Sequence, residues 1–217
     1  MLTYPICLVG LEDKRTIIIG GGDVAARKAQ ALVDAGASIT AISPDFCSPF
    51  RALCEQTGRI KLVERPYEPG DLEGAFLVIA ATDDLEVNQA VWEEAQAGNC
   101  LINVVDDPSR CNFIVPAVVE RGALKIAITT GGASPALARR LREQLECEIE
   151  PEYGLLAALL GDLRPLVIEH FEAGSPRQDA WRDLLDADFL HVLRQAGYGR
   201  ARRKALELLS LADEAVD

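Results

Sequence analysis

One short segment constrains this chain more than any other. Gly20-Gly21-Gly22-Asp23-Val24-Ala25 follows a β-branched run, Thr16-Ile17-Ile18-Ile19, and opens a stretch that reads as a helix from Asp23 to a C-terminal glycine, Gly36. Strand, G-x-G-x-x-A and helix in this order form the fingerprint of a dinucleotide-binding βαβ unit. Gly20 permits the tight turn, Gly22 lets the backbone approach a pyrophosphate, and Ala25 allows the helix to pack closely on the sheet. Asp23 and Val24 begin the helix, whose first N–H groups carry partial positive charge toward phosphates. The competing account is a glycine-rich turn that binds nothing.

The alternation continues. Ser38-Ile39-Thr40-Ala41-Ile42, Lys61–Glu64, Phe76–Ala80 and Leu101–Val105 read as further strands separated by helical stretches. This is the pattern of a parallel sheet with crossover helices. Thr82 or Asp83 is expected to cap the helix after the fourth strand, with Asp83-x-x-Glu86 as a capping box. After residue 112 the rhythm changes. Ile114-Val115 with Ala117-Val118-Val119, and then Leu124–Ile128, flank a turn at Arg121-Gly122 and read as a small antiparallel unit. Ser134 caps, and Pro135 begins, a helix carrying Leu137, Leu141 and Leu145 on one face. Beyond Pro151 the segments are helical, among them Tyr153–Phe171, Trp181–Leu185 and Arg202–Leu211. The expected division is 1–112, a Rossmann-type NAD-binding domain; 113–150, a small α+β dimerisation unit; and 151–217, a helical C-terminal domain. The fold class is α/β.

Composition closes off several functions. With 217 residues, 49% of them apolar, the chain can bury a sizeable core. A formal net charge of −12 argues against nucleic acid, which demands a basic footprint, and against an anionic membrane face. The N-terminal residues lack a signal peptide's basic flank and long apolar run, and no stretch reaches the roughly 20 apolar residues that span a bilayer. The six cysteines contain no C-x-x-C pair. They read as free thiols in a reducing cytoplasm, with a catalytic or metal-binding cysteine as the minority alternative.

Candidate site residues gather where such sheets bind ligands, at the carboxyl ends of the strands. Ser43-Pro44-Asp45 follows the second strand. There Asp45 can bond the ribose hydroxyls, and since no arginine immediately follows the strand, NAD is preferred over NADP. The alternative for Asp45 is a helix cap. Ala81 and Thr82 end the fourth strand and should line the cofactor. Asn103-Val104-Val105-Asp106 ends the fifth, so Asp106 emerges on the ligand edge, where a carboxylate can act as a base. A plain Asp-Asp-Pro turn accounts for it equally. Thr129-Thr130-Gly131-Gly132 precedes the Ser134-capped helix as a second anion site, with Arg139 and Arg140 beyond it; a capped helix with solvated arginines is the rival reading. His170 and His191 lie in the helical tail, where one can serve as a proton carrier, although a lone helical histidine is usually structural or exposed.

Together these motifs resemble the precorrin-2 dehydrogenase and sirohydrochlorin ferrochelatase family, the N-terminal part of siroheme synthases. The segments that carry the resemblance are Gly20–Lys28, Ala80–Asp84, Asn103–Asp106, Phe113–Ala117 and Gly131–Arg139. It covers residues 1 to about 150, with Gly161–Arg164 and Trp181 still fitting in the tail. The resemblance implies NAD-dependent oxidation of precorrin-2 to sirohydrochlorin, sometimes followed by iron insertion. It also implies an intertwined homodimer formed by the segment after the Rossmann unit. It makes Asp106 the general acid/base, sets Thr130 where a serine often lines the tetrapyrrole cleft, and points to Asn103, Arg110, Thr130 and Arg139 as substrate-binding residues. Such a substrate carries many carboxylates, so an acidic protein needs a local basic patch; Arg110, Arg139, Arg140 and Lys125 are the candidates. The chain ends before a methyltransferase domain could begin, so that step is expected elsewhere. The competing function is a non-enzymatic NAD-sensing regulatory module, which would need neither a base at Asp106 nor the Gly-Gly-x-Ser-Pro helix.

Overall fold

A computed structural model describes residues 3–211; residues 1–2 and 212–217, the outer ends of the first and third expected domains, lie outside the described residues. The chain divides into two compact units at Val115/Pro116.

In the first unit, β1 (Thr16–Ile19), β2 (Ile39–Ser43), β3 (Ile60–Glu64), β4 (Leu77–Ala80) and β5 (Leu101–Val104) form one sheet in the order β3-β2-β1-β4-β5. Every pairing is parallel, as the alternation of strands and helices predicts. Each boundary falls within a residue of expectation. β1 and β4 are buried at all four positions. That follows from continuous β-branched and aliphatic runs covered on both faces. One cluster holds Ile18, Ala25, Ala29 and Phe50; the other holds Ile17, Val78, Val91 and Ile102. Alternate residues of β1 therefore feed opposite faces. α1 (Asp23–Asp34) ends at Ala35, and Gly36 follows at φ 88°, the left-handed position expected of a glycine after a helix.

α2 (Ser48–Thr57) and α3 (Leu85–Ala97) complete this unit. The cap of α3 corrects the sequence reading. Asp84, rather than Thr82 or Asp83, accepts the N–H groups of Glu86 and Val87, and the expected capping box is absent. Thr82 instead accepts the Asp84 N–H one step earlier.

The second unit holds the hairpin β6 (Ala117–Arg121) and β7 (Leu124–Ile128), antiparallel as expected, with the turn at Gly122-Ala123. Ile114-Val115 is not a strand. α4 (Pro135–Glu148) starts as read, with the Ser134 hydroxyl accepting the Leu137 N–H. α5 (Glu152–His170), α6 (Ser175–Asp186) and α7 (Phe189–Leu208) pack around Leu159, Leu163, Leu184, Phe189 and Leu206. α6 and α7 are each longer than the pieces expected, and α7 is kinked at Gly197, whose φ is 73°. Gly154 lets α5 approach the hairpin, since a Cβ there would strike the Arg121 carbonyl. Among the described residues no helix is long and apolar enough to cross a membrane.

Candidate functional site

The sheet order places β1 beside β4, where the direction of strand addition reverses, and ligands of such sheets bind outside that point. The three glycines after β1 occupy it, each for a different reason. Gly20 has φ 121°, and a Cβ there would collide with the Ala81 carbonyl at the end of β4. Gly21 was given no role from sequence. A Cβ there would collide with the Asp45 carbonyl and crowd the Ser43 hydroxyl, so Gly21 seats the loop against the end of β2. The Gly21 carbonyl in turn accepts the Cys47 N–H at 2.8 Å.

Gly22 is the exception. Its backbone is ordinary (φ −80°, ψ −177°), and a Cβ would meet nothing within 4 Å. Neither strain nor the protein's own packing explains a glycine at this helix N-cap. The room in front of it, facing the first N–H groups of α1 at Asp23 and Val24, suits the close approach of a pyrophosphate. These residues therefore fit a dinucleotide. Ala25, fully buried, provides the close helix–sheet contact expected of it.

Asp45 lies in the loop after β2, with its side chain 91% exposed. It does not cap α2, whose N-cap is Cys47, so the helix-cap alternative falls away. Its Oδ1 accepts the Phe46 N–H at 2.8 Å. Sequence reading found no arginine just past β2. The fold supplies one from the first turn of α2, bringing Arg51 Nη2 to 3.4 Å from Asp45 Oδ1. Six residues of separation, bridged by a helix start, conceal that neighbour in the sequence. Ser43 is buried and Pro44 exposed.

Beyond β4, Ala81 donates its N–H to Ile19 and Asn88 of α3 donates its amide to the Thr82 carbonyl at 2.9 Å. The loop that meets the glycines is thereby pinned. Asn88 Oδ1 is buried without a hydrogen-bond partner.

Asp106 sits in the turn after β5 with φ 61°, one of three described non-glycine residues at positive φ. Aspartate is among the few side chains that tolerate this region. Its carboxylate is exposed at the strand's carboxyl end. Its neighbour Asp107 is committed elsewhere: it accepts from the Ser109 N–H and hydroxyl and pairs with Arg110. Those contacts, Ser109 foremost and then Arg110, hold Asp107 below the usual carboxylate range. Lys28 is half-buried within electrostatic reach of Asp106 and Cys111, and burial, with Arg27 next, lowers its pKa. Lys28 stands one turn after Val24, and that helical spacing from the glycine motif was the signal that could have found it.

The residues expected to meet substrate have these surroundings. Asn103 is buried and donates to the Phe113 carbonyl at 3.0 Å. Arg110 is held by Asp107 and by Gln89 Oε1. In the second unit, Thr130 accepts the Ser134 N–H, Arg139 pairs with Glu143 while 77% exposed, and Lys125 pairs with Glu120. Arg140 is exposed. His170, in the last turn of α5, contacts the Leu166 carbonyl, and the His191 N–H is bound by Asp188. Gly161, Arg164 and Trp181 line one groove.

A family model described as "Putative NAD(P)-binding" matches residues 7–117. Models of the sirohaem biosynthesis protein central region and the sirohaem synthase dimerisation region match residues 121–147 and 152–209. The siroheme synthase of Methylobacillus flagellatus is 46% identical over 184 residues, 85% of this chain and 39% of that protein. Siroheme synthase 1 of Aeromonas salmonicida is 43% identical over 180 residues, 83% of this chain and 38% of that protein. The chain thus spans about 39% of the first relative's length. Among solved structures, "SirC, precorrin-2 dehydrogenase" superposes with a TM-score of 0.72 at 25% identity, covering 96% of this chain and 98% of that one.

Proposed function

The chain belongs to the NAD(P)-binding family that carries the sirohaem-biosynthesis central and dimerisation segments, and from that premise we propose that it dehydrogenates precorrin-2 to sirohydrochlorin. The observation that carries the reading is the pairing of an open glycine cradle at α1 with an exposed carboxylate on the same strand-end edge of one sheet.

When bound, NAD supplies the hydride acceptor. The protein's part is to hold it and to move a proton. The backbone at Gly20 and Gly22 and the N–H groups of Asp23 and Val24 receive the pyrophosphate. Asp45 bonds the adenosine ribose, and Ala81 and Thr82 form the wall beside it. Asp106 accepts the proton released as the substrate loses a hydride, since dehydrogenation needs a base at the edge where the acceptor lies. In the second unit, Arg139 and Arg140 are exposed cations that suit a substrate rich in carboxylates. The Asn103 amide holds the segment at Phe113, so its contribution to binding runs through the shape of the β5 turn. Arg110 acts the same way through Asp107.

The protein works as a homodimer; the dimerisation-region match covers residues 152–209, which moves the expected contact from the 113–150 segment into the helical part that follows it. Six free cysteines suit a reducing cytoplasm.

Anaerobic incubation with precorrin-2 and NAD, followed by absorbance, tests the activity. Sirohydrochlorin should accumulate in proportion to NADH. No product with NAD saturating would overturn the proposal. Ferrous iron added afterwards asks whether the same carboxylate also assists metal insertion, which requires removal of pyrrole N–H protons.

A further inference from the structure

Arg51 makes three directed contacts at the end of the sheet. Its Nε donates to the Phe46 carbonyl at 3.2 Å, its Nη1 to Glu64 Oε1 at 2.5 Å, and its Nη2 reaches Asp45 Oδ1 at 3.4 Å. Glu64 is the last residue of β3 and lies opposite Ser43 in the β2–β3 register, so it stands beside the loop that carries Asp45. The short bond goes to Glu64 and the long one to Asp45. The guanidinium therefore belongs first to Glu64 and only second to Asp45, whose own carbonyl abuts the glycine loop.

A guanidinium beside the second strand's end is the group that would hold a 2′-phosphate, through two parallel charge-assisted bonds. Here it is present and already occupied. We propose that Glu64 decides which dinucleotide this chain accepts: by holding Arg51 it removes a ready phosphate ligand, leaves Asp45 to read the ribose hydroxyls, and excludes NADP. The inference rests on reading the glycine loop as a dinucleotide cradle.

The latch is a weak one. Arg51 and Glu64 keep 41% and 52% of their side chains exposed. An ion pair so open to water contributes little to stability. Its effect is on geometry and charge: two carboxylates, Asp45 and Glu64, face the place where a third anion would sit, and their shared cation is already bound. Removing Glu64 deletes one repulsive charge and frees one donor fork, without touching the loop that holds the pyrophosphate.

The test is equilibrium titration of NADH and NADPH fluorescence on the full chain without tetrapyrrole. Glu64→Ala should tighten NADPH binding about tenfold, since a like charge goes and a guanidinium is released, and move NADH by less than about twofold. Glu64→Ala with Asp45→Ala should invert the preference. Adding Arg51→Ala to that pair should erase the NADPH gain, which separates a freed ligand from mere loss of negative charge. Circular dichroism of each variant confirms folding. Unchanged NADPH affinity in folded Glu64→Ala, or a gain that survives Arg51→Ala, overturns the latch. Failure of the unaltered protein to bind either dinucleotide would instead overturn the cradle reading on which it rests.

Discussion

The two units differ in how completely their sheets are covered. In the first, β1 and β4 are covered along their whole length and the sheet closes its own core on both faces. In the second, the two-stranded β6–β7 sheet is mostly half-covered. Leu137, Leu141, Leu155, Ile168 and Leu185 stand 38–65% exposed. A two-stranded sheet is marginal alone, and apolar side chains left in water favour association. The contrast separates two jobs. A finished core can hold a carboxylate and a phosphate cradle in fixed geometry, while an unfinished surface is suited to meeting a second copy.

The largest effect should come from the first unit's carboxylate. Asp106→Ala is expected to cut turnover about 10²–10⁴-fold while NAD affinity changes little. Stopped-flow formation of sirohydrochlorin with NAD saturating, and a separate NAD titration, measure the two quantities. Asp107→Ala, whose carboxylate is engaged by Ser109 and Arg110, should cost far less. A reversed ranking would move the chemistry away from Asp106, and His170 would be the next residue to test.

Next come the glycines, which sharpen the claim that the cradle is built for a ligand. Gly22→Val should abolish measurable NAD binding with a melting temperature close to that of the parent, because a Cβ there meets no protein atom within 4 Å. Gly21→Ala should lose both, since overpacking against the Asp45 carbonyl costs about 1–3 kcal/mol, or several degrees of melting temperature. Equal loss of stability in the two variants would mean that Gly22 serves the fold.

The second unit has its own test. Sedimentation should find the unaltered chain dimeric at micromolar concentration. Leu141→Asp with Leu185→Asp should weaken the dimer by roughly tenfold or more, the scale of burying charge where apolar contact stood. NAD binding by the first unit should survive. A monomeric parent would break the comparison outright.

The smallest effect is electrostatic and internal to the first unit. Arg65 grips Asp71 with two short bonds, and that contact holds the carboxyl below its ordinary range despite partial burial. A depressed carboxylate contributes stability above its unfolded pKa and loses it as pH falls through the folded value. Asp71→Asn should therefore melt lower at pH 7 by about 1 kcal/mol, a few degrees. The gap should close as pH falls below about 3.9 and onward through the lower folded value. A gap that stays constant down to pH 2 would assign the loss to shape rather than charge.

The first unit was legible because its signals are local. Gly20, Gly22 and Asp106 each announce themselves through a strand end and a neighbour or two along the chain. Groups joined across elements were not legible. Arg51 and Glu64 are thirteen residues apart and meet only because β3 lies beside β2. Gly21's role depends on where the Asp45 carbonyl ends up in space. The cap of α3 was misread because Thr82, Asp83 and Asp84 are all capping residues, and only backbone geometry selects Asp84. Ile114-Val115 has a strand's composition, yet neither residue joins the β6–β7 ladder, and Pro116 lacks the N–H a central strand would need. In the tail, Gly197 kinks α7 without ending it, so the helix runs through a residue that ordinarily marks a break.

The left-handed turn at Asp106 also governs how this chain can drift. At φ 61° a β-branched or bulky replacement would strain the backbone, whereas asparagine and glycine would settle there at little cost. The tolerated replacements are thus the ones that remove the negative charge. On the role proposed for Asp106, a single Asp106→Asn change would silence proton transfer while leaving melting temperature, dinucleotide binding and assembly near normal. Selection for folding alone gives this carboxylate no protection, so an inactive descendant could persist as a stable, cofactor-loaded protein.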